Sequence, residues 1–378
     1  MKLAYFVHDL SEPAVRRRVA MLKAGGANIV VLGFRRTDQA PPELEGFPVV
    51  DLGRTYDARL AQRAGQVVLA AAAAGRLAAH LRDVDVIMAR SLEMLAVASA
   101  ARRAGRLRQP LVYECLDIHR AMLSDRPPGR ALRALERSLL AHAAMLVVSS
   151  PAFLSAYFEP RQGVGRDLRP QILLLENKPL RLDPREVRPA PTMPPAPPWR
   201  IGWYGAVRCQ RSLDLLADLA GRRPDLLEVV IRGRPFWGGF RDFTRQVSTA
   251  RNVTFGGPYV AADLPQLYGD VHFSWAVDYY EAGGNSDWLL PNRIYESGYF
   301  GAAPIALAGA ETGRWLRGRG LGVLMEDPER ELEAYLDGLS AERYAALTAA
   351  LAGAPADTFA ADQSECERLV ASLASLAR

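Results

Sequence analysis

Two series of short apolar runs, each run followed by a stretch compatible with a helix, constrain the fold of this 378-residue chain more than any other feature. The first series has runs at 3–7, 29–32, 84–88, 111–113, 145–148 and 172–175, with helical stretches beginning near Pro13, Tyr56, Leu92, Ala131 and Ala152. The second has runs at 200–205, 227–231, 253–255, 271–275, 304–307 and 321–324, with helices near Ser212, Leu264, Asn292 and Thr312. Near-continuous apolar strands separated by helices specify a parallel sheet covered on both faces, wound with right-handed crossovers. Between the two series stand Pro179, Pro184, Pro189, Pro191, Pro194, Pro195, Pro197 and Pro198, a run that stays extended and builds no core. The expected organisation is α/β throughout. A Rossmann-like domain over 1–180 precedes a proline-rich linker over 181–199 and a second Rossmann-like domain over 200–340. Closing helices over 341–378 are expected to pack back toward the first domain. Open α/β sheets bind ligands at the C-terminal edges of their strands, so two such domains would face each other across a cleft.

Within the second series, Leu290-Pro291-Asn292-Arg293-Ile294-Tyr295-Glu296 reads as the start of a helix that breaks at Gly301 and is followed at once by the apolar run Pro304-Ile305-Ala306-Leu307. Proline suits a first helical turn, where its missing N–H would be unpaired anyway. The amides of that turn and the helix dipole make a site for a phosphate or carboxylate. Arg293 in the first turn is unfavourable unless an anion neutralises it. Glu296, one turn on, can accept hydrogen bonds from a diol such as a ribose. The combination suggests a nucleotide diphosphate held at a helix end.

The elements Asn292-Arg293, Tyr295-Glu296 and Gly301-Ala302-Ala303-Pro304-Ile305 resemble the donor-binding helix of GT-B glycosyltransferases, in particular the family 4-like group. The resemblance implies that Glu296 binds the nucleotide ribose and that Asn292, Arg293 and Tyr295 belong to the donor site. One position departs from the pattern: the second glutamate usual eight residues upstream is Trp288 here.

Further candidates sit at the ends of other runs. Gly205, in Trp203-Tyr204-Gly205-Ala206-Val207-Arg208, lets the backbone approach a phosphate, and Arg208 can make a bidentate contact with it. The alternative is an ordinary strand-to-helix turn with a surface arginine. Arg232, in the similar Arg232-Gly233-Arg234-Pro235 segment, is a weaker candidate for the border of the nucleotide base. Asp278, Asn285 and Asp287 fall in a glycine-rich stretch able to enclose a transferred sugar, or simply to form a surface loop. In the first series, Asp117 and His119 alternate along the segment after 111–113. They form a candidate acid/base pair, with Asp117 the general base of an inverting reaction and His119 the alternative. Local capping of the following helix would explain the same residues. His8 and Asp9, ending the first run, are candidate contacts for sugar or acceptor.

Other chemistries lack their motifs. There is no Gly-x-Gly-x-x-Gly after the first run, no Walker loop, no His-Glu-x-x-His and no Gly-x-Ser-x-Gly elbow. Asp83-Val84-Asp85 reads as the flanks of a strand, so no metal site and no cofactor is expected. Three cysteines, Cys115, Cys209 and Cys366, are too sparse for a disulfide framework and fit a reducing cytosol. The N-terminus turns polar at His8-Asp9, before a signal-peptide core could form. The alanine-rich stretch around 67–79 is shorter than a membrane span and reads as a long helix with a buried face. The net charge of +5 comes with only three lysines among 47 basic residues. Arg102, Arg103, Arg106 and Arg108 are candidates to face anionic lipid.

The opening Ala4-Tyr5-Phe6-Val7-His8-Asp9-Leu10, with Pro13-Ala14-Val15 and Leu22-Lys23-Ala24-Gly25-Gly26-Ala27, narrows the likeness. It resembles bacterial glycosyltransferases of exopolysaccharide assembly, of the succinoglycan-biosynthesis ExoL type. That resemblance implies a nucleotide-diphosphate sugar, often a UDP-sugar, as co-substrate. It further implies an oligosaccharide on a polyprenyl-diphosphate carrier as acceptor, at the inner face of the cytoplasmic membrane, and no nucleic-acid partner. Two alternatives share the fold: a nucleotide-sugar epimerase, and a non-catalytic nucleotide-binding subunit suggested by Trp288.

Overall fold

The computed structural model describes residues 1–56, 60–183, 185–190 and 192–377; Pro184 and Pro191 of the expected linker lie outside them. The chain divides into two units, one of Met1–Leu182 with Ala361–Arg378, the other of Asp183–Ala360.

The sheet of the first unit contains β1 (Lys2–Val7), β2 (Asn28–Arg35), β3 (Glu43–Leu44), β4 (Phe47–Arg54), β5 (Val86–Arg90), β6 (Leu111–Cys115), β7 (Met145–Val148) and β8 (Gln171–Leu174). Their order across the sheet is β3-β4-β2-β1-β5-β6-β7-β8. All neighbours are parallel except the hairpin β3–β4. The strands β1, β5, β6 and β7 are buried on both faces because helices cover both sides; Leu3, Val86, Val112 and Leu146 are fully buried, and Arg90 and Glu114 are the charged exceptions near the strand ends. The β3–β4 hairpin was not legible in the sequence. Pro48, Asp51 and Gly53 interrupt β4, which is only half-buried and shows neither an apolar run nor strict alternation.

The second unit holds β9 (Trp199–Val207), β10 (Leu227–Pro235), β11 (Val253–Phe255), β12 (Phe273–Trp275), β13 (Ala303–Leu307) and β14 (Val323–Met325). These are all parallel in the order β11-β10-β9-β12-β13-β14. Its core is built on Trp199, Trp203, Phe273, Trp275 and Ile305, packed by Leu213, Leu216, Trp315 and Phe359 from surrounding helices.

Each sheet has one place where the chain order reverses. In the first unit it lies between β1 and β5, in the second between β9 and β12. At such a point the crossovers leave in opposite directions and open a crevice at the C-terminal strand ends.

The closing helices separate. Helix Ala341–Gly353 stays in the second unit, whereas helix Gln363–Ala374 packs on helix Pro13–Ala24 of the first. The alanine-rich stretch also differs from expectation. It is not one long helix but Leu60–Ala72 and Ala74–Leu77, continued by a 3-10 turn, with a 62° bend at the break. Its outer face is open, with Val68 66% and Leu69 62% exposed. Among the described residues no single helix is long and apolar enough to cross a membrane.

Candidate functional site

The reversal point of the second sheet gathers most of the expected donor residues. The last strand residues of β9 lead into Arg208, and the segment after β12 carries Asp278. Arg208 donates to one oxygen of Asp278 through Nη2 at 2.7 Å and Nε at 3.2 Å. The other Asp278 oxygen accepts the Tyr280 amide at 3.0 Å. The Arg208 guanidinium also lies 5.1 Å from the centre of the Tyr280 ring. Burial would raise the Asp278 pKa, but the Arg208 charge and these hydrogen bonds outweigh it and hold the carboxyl below its ordinary value.

Close approach of backbone explains the glycines here. Gly205 and Gly233 are register partners on β9 and β10, and a Cβ on Gly233 would collide with the Gly205 carbonyl. Both have positive φ, 98° and 136°, which a larger side chain would strain.

The helix expected to bind the donor runs over Asn292–Phe300, with Pro291 as its N-cap and Gly301 ending it at φ 88°. Proline therefore sits just before the first turn instead of inside it. Its extended ψ of 144° precludes a helical position, and its carbonyl accepts the Ile294 amide at 3.1 Å. No side chain caps the first-turn amides at Pro291. Arg293 donates to the Trp275 carbonyl at 3.0 Å, fixing its guanidinium at the C-terminal end of β12, where its charge also lowers the Asp278 pKa. Glu296 is 7% exposed and accepts a hydrogen bond from the Tyr268 hydroxyl at 3.1 Å. Burial and the Glu296 charge push the Tyr268 pKa well above normal, so the phenol remains a donor. Arg208, Asp278, Arg293, Glu296 and Tyr268 thus form one electrostatic cluster: two cations for an anionic ligand and a preorganised carboxylate for hydroxyls.

Other expected donor contacts have different places. Tyr295 is fully buried and packs edge-on to Trp315 at 5.3 Å, on the core side of the helix. It supports the helix and presents no ligand surface. Arg232 donates to the carbonyls of Gly257 and Pro258, both at 3.1 Å, and so holds the loop after β11 in place. The glycine-rich stretch is partly helical, over Asn285–Trp288, which buries Asn285 completely. Asp287 accepts the Gly283 amide at 2.8 Å and closes that turn. Asn292 is half-buried in the first turn.

Sequence reasoning passed over three tyrosines. Tyr268 precedes Glu296 by 28 residues, and Tyr280 lies beneath Arg208. Tyr259 points its hydroxyl toward Gly205, 3.7 Å from where a Cβ would stand. Nothing local to these positions distinguishes them from core aromatics. A surface cavity of about 550 Å³ lies over helix Gln210–Arg222, but its arginines are already paired, Arg211 with Glu329 at 2.5 Å and Arg241 with Asp214 at 2.7 Å.

In the first unit, the reversal between β1 and β5 brings together His8, Glu12 and Arg90. His8 Nε2 is 3.4 Å from Glu12, and Arg90 Nε is 3.7 Å from the same carboxylate. Burial lowers the His8 pKa; Glu12 opposes the shift, while Arg90 and Arg63 reinforce it. Asp9 is committed to structure: it accepts from the Ser11 amide at 2.9 Å and hydroxyl at 2.6 Å, and pairs with Arg36 at 3.0 Å. His119 accepts the Ala121 amide on Nδ1 at 3.2 Å, capping the turn Arg120–Leu123. Asp117 is exposed on the same segment.

Comparison with known proteins places the chain in a family. A profile described as the glycosyl transferase 4-like domain matches residues 11–169. The succinoglycan biosynthesis protein ExoL of Rhizobium meliloti (strain 1021) is 44% identical over 382 residues, covering 100% of this chain and 94% of that protein. The chain belongs to the ExoL-type, glycosyltransferase 4-like family. Its GT-B fold is shared with Anabaena HepE, solved with UDP and glucose, at TM-score 0.69 and 16% identity over 99% of both chains. WaaG, a glycosyltransferase involved in lipopolysaccharide biosynthesis, matches at TM-score 0.58 and 14% identity over 99% of this chain and 97% of that one. In this ExoL-type chain the candidate donor residues Arg208, Arg293 and Glu296 all lie within the second unit. Trp288, where a second glutamate would stand, is half-buried in the short helix Asn285–Trp288.

Proposed function

We propose that this protein transfers a glycosyl group from a UDP-sugar to a lipid-linked oligosaccharide during exopolysaccharide assembly, at the cytoplasmic face of the membrane. The observation that carries the reading is the convergence of Arg208 and Arg293 on the reversal point of the second sheet, beside the Glu296–Tyr268 pair. Arg208 and Arg293 stabilise negative charge as it grows on the departing diphosphate, the stage at which positioned cations contribute most. They fill the role a divalent metal takes in other transferases. Glu296, oriented by the Tyr268 hydroxyl, accepts hydrogen bonds from the ribose hydroxyls. The first unit binds the acceptor, with Asp117 removing the proton of the attacking hydroxyl.

ExoL supplies the pathway class and HepE the nucleotide, each by what it is said to make or bind. The test is a thermal-shift screen of the purified protein against UDP, GDP, ADP and TDP. A ligand that binds the native state raises the melting temperature by mass action. A shift selective for UDP that disappears in Glu296→Ala supports the donor site; a response to none of the four overturns it. Radiolabelled UDP-sugars with and without membrane lipid extract then separate transfer from epimerisation: label passing into lipid marks transfer, and an isomerised UDP-sugar formed without extract marks epimerisation.

A further inference from the structure

Phe236 and Trp237, which follow β10, and Phe255, the last residue of β11, are 45%, 64% and 36% exposed. Buried Phe243 braces two of them, meeting the Trp237 ring edge-on at 6.0 Å and the Phe255 ring edge-on at 5.0 Å. A single exposed ring is ordinary, but a cluster held in place marks a surface that a ligand covers.

The segment carrying Phe236 and Trp237 is seated against the end of β9. The Phe236 amide donates to the Val207 carbonyl at 2.8 Å, and the Gly239 amide closes the turn on the Phe236 carbonyl at 2.8 Å. A Cβ on Gly239 would stand 2.7 Å from the Arg208 carbonyl, so only glycine lets the turn approach this closely. The Phe236 ring meets the Tyr280 ring edge-on at 5.7 Å, and Tyr280 lies 5.1 Å from the Arg208 guanidinium. The exposed rings are therefore continuous with the candidate donor site and held in position by the backbone around them.

A nucleotide sugar is a linear ligand: base, ribose, diphosphate, glycosyl unit. The proposed ribose contact is Glu296 with Tyr268, and the proposed diphosphate contacts are Arg293 and Arg208. Arg293 joins the two, since its charge acts on Tyr268 and on Asp278 alike, and Asp278 is bonded to Arg208. Followed in the same direction, Arg208 leads to Tyr280 and then to Phe236. The base hangs from the ribose, at the Tyr268 end, so what lies beyond Arg208 is the glycosyl unit.

We propose that Phe236 and Trp237 form a platform for the glycosyl unit of the donor, against which one face of a pyranose ring packs. A pyranose carries C–H groups on its faces and hydroxyls around its rim. Aromatic rings cover the first, and the neighbouring Arg208–Asp278 pair offers donors and lone pairs to the second. The platform rests on the reading that the donor is a UDP-sugar, and adds to it the residues that meet the sugar.

The test is titration calorimetry of the full chain, without acceptor, against UDP and against a UDP-hexose. The hexose probe is whichever of UDP-glucose, UDP-galactose and UDP-N-acetylglucosamine binds wild type tightest. Phe236→Ala/Trp237→Ala should weaken the UDP-hexose at least about fivefold while changing UDP by less than about twofold. Phe236→Tyr/Trp237→Phe keeps both rings and should retain most of the wild-type affinity. Both positions are exposed, and Trp237→Ala alone, at the more exposed of the two, repeats the comparison if the double variant does not fold. UDP-hexose affinity in the alanine variants equal to wild type overturns the platform. So does an equal loss of UDP and UDP-hexose binding, which would put the rings on the nucleotide. Wild type that binds neither ligand refutes the donor reading itself and the platform with it, so the two failures are told apart.

Discussion

Arg208 and Asp278, 70 residues apart in sequence, meet at 2.7 Å across the reversal point of the second sheet. The pair ties the end of β9 to the segment after β12 and fixes the guanidinium at the C-terminal strand ends, the place of the proposed diphosphate contact. Arg208→Ala is expected to lower kcat/KM by about 10²–10³, the usual cost of one transition-state charge donor. Initial rates with labelled UDP-sugar measure it, and turnover within a factor of two of wild type would refute the role.

The same pair has an acid-side consequence. The Asp278 pKa is held below its ordinary 3.8, so its stabilising contribution is fully present above that value and is lost as pH falls through the lower folded-state pKa. Melting temperatures measured between pH 5 and pH 2.5 should fall less steeply in Asp278→Asn than in wild type. Parallel curves would show that the pair carries no such linkage.

Glu296 and Tyr268 act as a unit in the proposed ribose contact. Glu296→Gln should abolish most of the UDP-dependent thermal shift, and Tyr268→Phe, which removes the bond that orients the carboxylate, should reduce it by less. Titration calorimetry with UDP reads both. Equal affinity in Tyr268→Phe and wild type would separate the two residues.

In the first unit, Glu114 is fully buried and receives Arg18 at 2.7 Å and the Tyr5 hydroxyl at 2.5 Å, with Arg90 at 3.7 Å. Glu114→Ala strands two buried guanidinium groups and should destabilise this unit by about 3–5 kcal/mol. Urea denaturation followed by circular dichroism tests this, and a midpoint unchanged from wild type would contradict it.

His8 adds a pH dependence of opposite chemistry. Burial keeps its ring neutral where an unfolded histidine, with pKa 6.5, begins to bind a proton. The unfolded state then holds more protons, so the His8 contribution is intact above pH 6.5 and declines as pH falls below it. His8→Gln should flatten the melting-temperature profile between pH 7.5 and 5.5.

If Arg208 and Arg293 supply the cationic role, initial rates should be the same in EDTA and in added magnesium or manganese. A rate that collapses in EDTA and returns with one cation would assign the leaving-group charge to a metal.

Local sequence carried the α/β alternation and the limits of the donor helix, because apolar runs, Pro291 and Gly301 act through the backbone of their own neighbourhood. It also placed Arg293 and Glu296 one turn apart on one helix, since 3.6-residue periodicity needs no knowledge of the fold. It could not separate Tyr295, in the core, from Glu296, the proposed ribose contact, because which side of that helix meets the sheet is set by packing. Nor could it find the partners. Tyr268 reaches Glu296, and Arg208 reaches Asp278, only because parallel strands separated by whole crossovers are laid side by side. The return of helix Gln363–Ala374 to the first unit and the exposure of Val68 and Leu69 have the same origin. An apolar residue is drawn inward only where a neighbour is there to cover it, and tertiary structure alone decides where that neighbour lies.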